Sequence, residues 1–257
     1  MALTTDLISY WKLDVDSSTQ DDSHGSNDGT VNGATYTASG KINGAYSFDG
    51  INDYILTGLN MSAGNTSISF WVYFNASGND YCLNIGGDSS ARHGWFIYWK
   101  SNDVFEFWTS NASGIPKIVT FATGAISKSA WHHIVFTWDG STTASNVKIY
   151  VDGSVTSGSG NVETWEGLSD NDGLTIGRTS VGINAILDEV GIWNRVLTSD
   201  EVTALYNSGD GLAYPFSTGL QLNIGDVWKA VAAVKINIGD AWKVVPDVKV
   251  NIADAWK

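Results

Sequence analysis

Ile186 to Gly209 reads ILDEVGIWNRVLTSDEVTALYNSG, a strand that runs at once into a short helix. In strict alternation Ile186, Asp188, Val190 and Ile192 share one face, and Leu187, Glu189, Gly191 and Trp193 the other. Apolar residues on both faces predict a strand covered on two sides. The pattern then changes. Thr198 is placed to cap a helix, with Glu201 three residues on to complete a capping box. Val202, Leu205 and Tyr206 share a face of the following turns, and Asn207 to Gly209 supply the stop. One small helix late in a chain otherwise rich in strands is a closing element.

Working outward, three more stretches carry the same kind of information: LISYWKLD at Leu7 to Asp14, NGAYSFDGINDYI at Asn43 to Ile55, and WHHIVFTWDG with KIYVDG across Trp131 to Gly153. Together with LDEVGIWNRVLTSDEVTALYN they resemble, in order, the laminin-G-like, concanavalin A-like jelly-roll domains. That resemblance implies an all-β fold: a two-sheet antiparallel jelly-roll sandwich with one short C-terminal helix, over residues 1 to 211. It leaves function open, since this fold serves lectins, glycosidases, adhesion modules and structural domains alike. In the superfamily an aspartate of the closing strand often binds a structural calcium. The resemblance therefore implies a Ca2+ site at Asp188, with Asp49 of SFDG as a helper. The alternative is a carboxylate that only meets a backbone N–H.

Composition bounds the chemistry independently. A formal charge of −13 and a pI near 4.4 argue against a nucleic-acid partner, which needs clustered Lys and Arg, and equally against an anionic membrane surface. The N-terminus MALTTDLISYWKL has no basic or apolar region of a signal peptide, and no segment is apolar for the length of a membrane span. The single cysteine, Cys82 in YCLNI, cannot form an internal disulfide and reads as a buried thiol.

Strands are expected near Leu7 to Leu13, Gly29 to Tyr36, Ala45 to Phe48 and Asp53 to Leu56, with Asn32-Gly33 and Asn43-Gly44 as hairpin turns. Ile68, Phe70, Val72 and Phe74 alternate with Ser69, Trp71 and Tyr73, which predicts a half-buried strand. Asp21, Asp22, Asn27 and Asp28 offer hard oxygen ligands, or simply a solvated turn. His132 and His133 are neighbours on a strand, so they point apart and cannot share one metal.

GWFIYWK and VFEFWTS form an aromatic hairpin in which Trp95, Ile97 and Trp99 share a face, and Phe105 and Phe107 oppose Glu106 and Trp108. Flat indole rings stack on the C–H faces of sugars, and the candidates for such a platform are Trp95, Trp108 and Trp165. The competing reading is that most of the 12 Trp fill the space between sheets. No pair of acids shares one strand face as a glycosidase needs: Glu163 and Glu166 fall on opposite faces, and adjacent Asp188 and Glu189 diverge. The chain reads as a non-enzyme.

After a linker at 212–219 a repeat occupies 220–257: LNIGDVWKAVAAVK, INIGDAWKVVPDVK and VNIADAWK, period 14. Trp228, Trp242 and Trp256 recur, each followed by Lys. Each unit reads as strand, turn and strand, a small β-hairpin too short to bury its own Trp and so expected to stack on neighbours or on other chains. The last unit stops at Trp-Lys, leaving an edge for a partner. These NIGxxWK units resemble C-terminal appendages of bacteriophage structural proteins. The combined expectation is a virion-associated or microbial surface protein, made in the cytoplasm without a signal peptide. Its sandwich binds cell-surface or extracellular glycans, and its tail joins it to other virion or surface proteins or to its own copies. A purely structural decoration, capsid or tail protein without ligand is the first competitor, and a glycoside hydrolase the second.

Overall fold

The computed structural model describes residues 2–60, 64–75, 85–86, 94–99, 104–110, 117–124, 126–162, 173–177 and 182–216. In the repeats it describes the backbone of 221–224, 227–230, 235–238, 241–244, 251–252 and 255–256. Cys82, Glu163, Trp165 and Glu166 lie outside the described residues, as do the side chains of Trp95, Trp228, Trp242 and Trp256.

The chain divides into two compact units, Met1–Tyr214 and Pro215–Lys257. The first begins with β1 (Leu7–Trp11), β2 (Thr19–Gln20), β3 (Gly29–Asn32), β4 (Thr35–Thr37), β5 (Ala45–Asp49) and β6 (Tyr54–Thr57). It continues with β7 (Thr66–Phe74), β8 (Ile85–Gly86), β9 (Gly94–Trp99), β10 (Phe105–Ser110), β11 (Lys117–Phe121) and β12 (Trp131–Trp138). The last strands are β13 (Lys148–Val151), β14 (Ser154–Ser157), β15 (Ser159–Gly160), β16 (Thr175–Gly177) and β17 (Asn184–Trp193), followed by helix α1 (Ser199–Tyr206).

One layer is an eight-stranded antiparallel sheet in the order β14-β13-β12-β7-β17-β5-β4, with β1 also pairing along β17. The facing layer consists of the four-stranded β15-β11-β10-β9 and the five-stranded β2-β3-β6-β16-β8. Between them lies a core that alternation writes directly. Ile68, Phe70, Val72 and Phe74 of β7, and Ile134, Phe136 and Trp138 of β12, meet Ile97, Phe105, Phe107 and Phe121 from the facing sheet. Phe136 is ringed by Phe105, Phe107 and Phe121 at centroid distances of 5.8, 6.3 and 5.5 Å. Each such ring withdrawn from water contributes about 1.5–3 kcal/mol.

The capping box forms as the sequence predicts: Thr198 Oγ1 accepts from the Glu201 N–H, and Glu201 accepts from the Thr198 N–H. Glu201 also takes a two-pronged ion pair from Arg195, at 2.7 and 2.9 Å. The helix ends where Asn207 adopts a left-handed backbone, φ 48°.

Two expectations give way. Strand β7 is not half-buried: Trp71 is covered on its outer side by the His133 and Tyr206 rings, 5.0 and 6.0 Å away, with Lys41 Nζ 4.7 Å from its ring centre. Asn32-Gly33 is not a hairpin turn, because β3 and β4 belong to different sheets; Gly33, at φ 80°, turns the corner between layers. Asn43-Gly44 does lie in a hairpin connection, between β4 and β5.

In the second unit each repeat is a two-stranded antiparallel hairpin: β18 (Gln221–Ile224) with β19 (Val227–Ala230), β20 (Lys235–Ile238) with β21 (Ala241–Val244), and β22 (Asn251–Ile252) with β23 (Ala255–Trp256). The register is the same in all three, with Asn223 opposite Trp228, Asn237 opposite Trp242 and Asn251 opposite Trp256.

Candidate functional site

The middle strands of the four-stranded sheet turn one face to the core and the other outward. On β10 Phe105 and Phe107 point in, so Glu106 and Trp108 lie on the outer side, with Tyr98 and Thr120 across the ladder from Glu106 and Ile118 across from Trp108. Trp108 is half-buried. Its indole N–H donates to Glu106 Oε2 at 2.7 Å, and its ring sits 4.9 Å from the Tyr98 ring at an interplanar angle of 49°. Two amphipathic rings and a carboxylate are thus held on rigid strands. The rings can pack on sugar C–H groups, while Glu106, itself buried, fixes the orientation of the Trp108 indole. Of the three Trp named from sequence, Trp108 lies on this face. Trp95 has its backbone in β9 opposite Thr109, while Trp165 falls outside the described residues.

A second cluster is acidic and buried. The pairing of β17 with β7 takes Asp188 opposite Trp71 and then Gly191 opposite Ser69, so β17 holds one residue more than its partner. This β-bulge, with Glu189 at φ 52°, switches the core side from Ala185 and Leu187 to Val190 and Ile192. Strict alternation is thereby broken, and the expected divergence of Asp188 and Glu189 does not occur. Their carboxylates and that of Asp14 all lie within 4.8 Å of one another. The bulge falls at a seam, because one edge of β17 pairs with β5 up to Leu187 and with β1 from Val190 onward. Past β1, Leu13 turns the chain at φ 62° and delivers Asp14 to the same seam.

Hydrogen bonds tie the cluster to its surroundings. Asp188 Oδ2 accepts from the Ile42 N–H at 2.9 Å, and Asp14 accepts from the Gly44 N–H at 3.2 Å and from the Asn43 amide at 3.3 Å. The Tyr10 hydroxyl donates to Glu189 Oε2 at 2.5 Å. Asp188 Oδ1 and Glu189 Oε1 are buried with no hydrogen-bond partner. Burial, above all, pushes the carboxyls of Asp188 and Glu189 well above the usual range, and the charge of Asp14 on Asp188 and of Asp188 on Glu189 adds to it. Burial likewise raises Asp14, against the N–H of Gly44. Two ionised carboxylates this close repel by about 3 kcal/mol at an effective dielectric of ~20. The cluster must hold protons or a cation. Orphaned hard oxygens on Asp188 and Glu189, with the Asp14 carboxylate beside them, fit a calcium-like ion.

Asp49 is not part of this group. It sits at the other end of the β5 pairing, opposite Asn184, exposed, and accepts from the Ile51 N–H at 2.8 Å. Asp14, which follows the first strand, is the carboxylate that joins Asp188. In the acidic loop Asp22 is spent on the backbone: its oxygens accept from the N–H groups of Tyr10, His24, Gly25 and Asn27 at 2.9–3.1 Å. Burial raises its carboxyl, and those bonds outweigh burial and lower it. His132 and His133 point apart, as the strand requires. His132 pairs with Asp152 at 2.7 Å, and His133, buried, bonds Ser69 Oγ at 2.8 Å.

With the fold and these sites in view, the chain matches the family model of the concanavalin A-like lectin/glucanases superfamily over residues 48–203. The chain belongs to this superfamily. No curated protein sequence matches it. Among solved structures it is similar to domain 4 of AbnA, a GH43 extracellular arabinanase from Geobacillus stearothermophilus, in complex with arabinotriose: TM-score 0.60, 20% identity, 77% of this chain and 97% of that one. It is also similar to the botulinum neurotoxin serotype D ligand binding domain in complex with N-acetylneuraminic acid, at TM-score 0.60 and 14% identity over 79% of this chain. A Trypanosoma rangeli sialidase follows at TM-score 0.58 and 16% identity. The chain spans 51% of that toxin domain and 33% of the sialidase. These likenesses establish the superfamily's sandwich and nothing finer.

Proposed function

We propose that this superfamily member is a non-catalytic carbohydrate-binding sandwich, held on a virion or microbial surface by its hairpin tail. The observation that carries the reading is the Trp108–Tyr98 pair with Glu106 on the outer face of β10. Solved relatives of the same fold that hold arabinotriose and N-acetylneuraminic acid lend it support. The non-catalytic part rests on the acids. A glycosidase needs two carboxyls flanking the bond at about 5–10 Å. Asp188 and Glu189 are 0% and 2% exposed, out of reach of a polymer, and their part is to hold a structural Ca2+ with Asp14.

The tail contributes attachment. Each two-stranded hairpin is too small to be stable alone and has two edges, and among the described residues no third strand joins any of them. Strand pairing with other virion or surface proteins, or with further copies, would complete them. A glycan array probed with the full-length chain tests the reading. Selective signals on a related set of glycans are expected. A blank array, with the chain folded and assembled, would leave a structural decoration protein instead; sugar release from the arrayed polysaccharides would make it a hydrolase.

A further inference from the structure

A groove of about 540 Å³ lies on the opposite face of the sandwich, where β12, β13 and β14 meet the segment that enters α1. Its floor is set by strand parity. Phe136, Trp138 and Ile149 face the core, so Thr137, Lys148 and Tyr150 face outward, with Val155 directly across the ladder from Tyr150. The wall is rigid: the Leu197 N–H donates to Ser67 Oγ at 2.9 Å, and Thr198 is locked in the capping box.

Three observations mark this groove as built for a ligand. Asp139 is held in place, its Oδ1 accepting from the Ser141 N–H at 3.0 Å and its Oδ2 from the Asn146 amide at 2.7 Å. Thr137, 1% exposed, lines the groove, and its buried hydroxyl has no hydrogen-bond partner. Such a group costs free energy unless something completes it. Val155 and Val196, 55% and 39% exposed, are two of the large apolar side chains left most open to water, and both line the same groove.

We infer that this groove is a second saccharide subsite, for an uncharged mono- or disaccharide. The volume falls in the range of small-molecule pockets. The valines offer C–H surface to a sugar ring, while Asp139 accepts from sugar hydroxyls and Lys148 and Tyr150 donate to them. Lys148 and Asp139 cancel in charge, and the net charge of −13 disfavours an anionic sugar. Two subsites on opposite faces would let one chain bridge two glycan strands.

The ligand class rests on the carbohydrate reading, so the test separates the two faces. The full-length chain is titrated with glucose, galactose, arabinose, maltose, cellobiose and lactose by calorimetry and saturation-transfer NMR. Trp108→Ala and the pair Val155→Asp and Lys148→Ala are run alongside, with urea midpoints to confirm folding. Residual binding in Trp108→Ala that falls at least tenfold when Val155→Asp and Lys148→Ala are added is the expected result. If Trp108→Ala alone removes all binding and the groove variants bind as the parent does, the groove proposal is overturned and the aromatic face stands. If the groove variants alone remove all binding, the groove is the sugar site and the aromatic face is not. No binding by any folded form overturns both.

Discussion

Removing calcium should soften this protein in a way that depends on pH and on a single carboxylate. In the folded chain burial raises Asp188 and Glu189 well above the usual carboxylate range, and the Asp14 charge adds to it. A group raised on folding stabilises the fold at low pH and loses that contribution as pH climbs through its folded value. Without a cation, therefore, the cluster weakens the fold as pH rises from about 4, by up to about 1.4 kcal/mol per pH unit for each group still protonated. Calcium takes the ionised form, so it reverses the sign. At one hundred times its dissociation constant it adds about 2.7 kcal/mol, which for a unit of this size moves Tm by about 5–10 °C. Differential scanning calorimetry at pH 8, in chelator and then in millimolar calcium, should show that shift. At pH 5 the shift should shrink, because protons compete. Asp188→Asn keeps an acceptor for the Ile42 N–H but removes a buried charge. It should lose the calcium response and melt higher than the parent in chelator at pH 8. Equal Tm with and without calcium at pH 8, or an undiminished shift in Asp188→Asn, would refute the cation site.

Other expectations follow from single residues. Burial lowers the His133 imidazole to about 3, against the opposing charge of Asp152. The unfolded imidazole protonates near 6.5, so stability is lost as pH falls from there toward about 3. Urea unfolding from pH 7 to 4.5 should show the parent losing about 2–3 kcal/mol more than His133→Leu; parallel curves would rule this out. Gly191→Ala places a Cβ 2.7 Å from both Tyr10 Cδ2 and Trp193 Cη2. It should cost about 1–3 kcal/mol in chemical denaturation, and an unchanged midpoint would mean the bulge region repacks freely. Deleting residues 220–257 should abolish assembly by light scattering while near-UV circular dichroism of the sandwich persists; an unchanged mass would remove the tail's assigned part.

Much of the fold was legible because it depends on local rules. The Thr198–Glu201 box is a four-residue pattern, and the parity of Phe105, Phe107 and Trp108 follows from strand geometry alone. The sites were harder, because they depend on departures from those rules. One inserted residue at Glu189 turns two acids to the same side, and strict alternation had set them apart. The signal was present in the run itself: apolar Ala185 and Leu187 keep odd parity, Val190 and Ile192 even, and Asp188-Glu189 stand where the phase changes. Asp14 is brought to Asp188 only by the pairing of β1 with β17, so its part is invisible to local reading, and SFDG drew attention to Asp49 instead. Trp71 likewise looks half-exposed until α1 and His133 cover it.

The most direct test of the carbohydrate reading is calorimetric titration of the strongest array ligand into the full-length parent chain and into Trp108→Ala. Loss of the indole removes both the stacking face and the Glu106 hydrogen bond. The expected result is at least a tenfold weaker affinity for Trp108→Ala, with a cooperative urea transition that shows the variant still folded. Equal affinities in the two would contradict the account and move the sugar away from the outer face of β10.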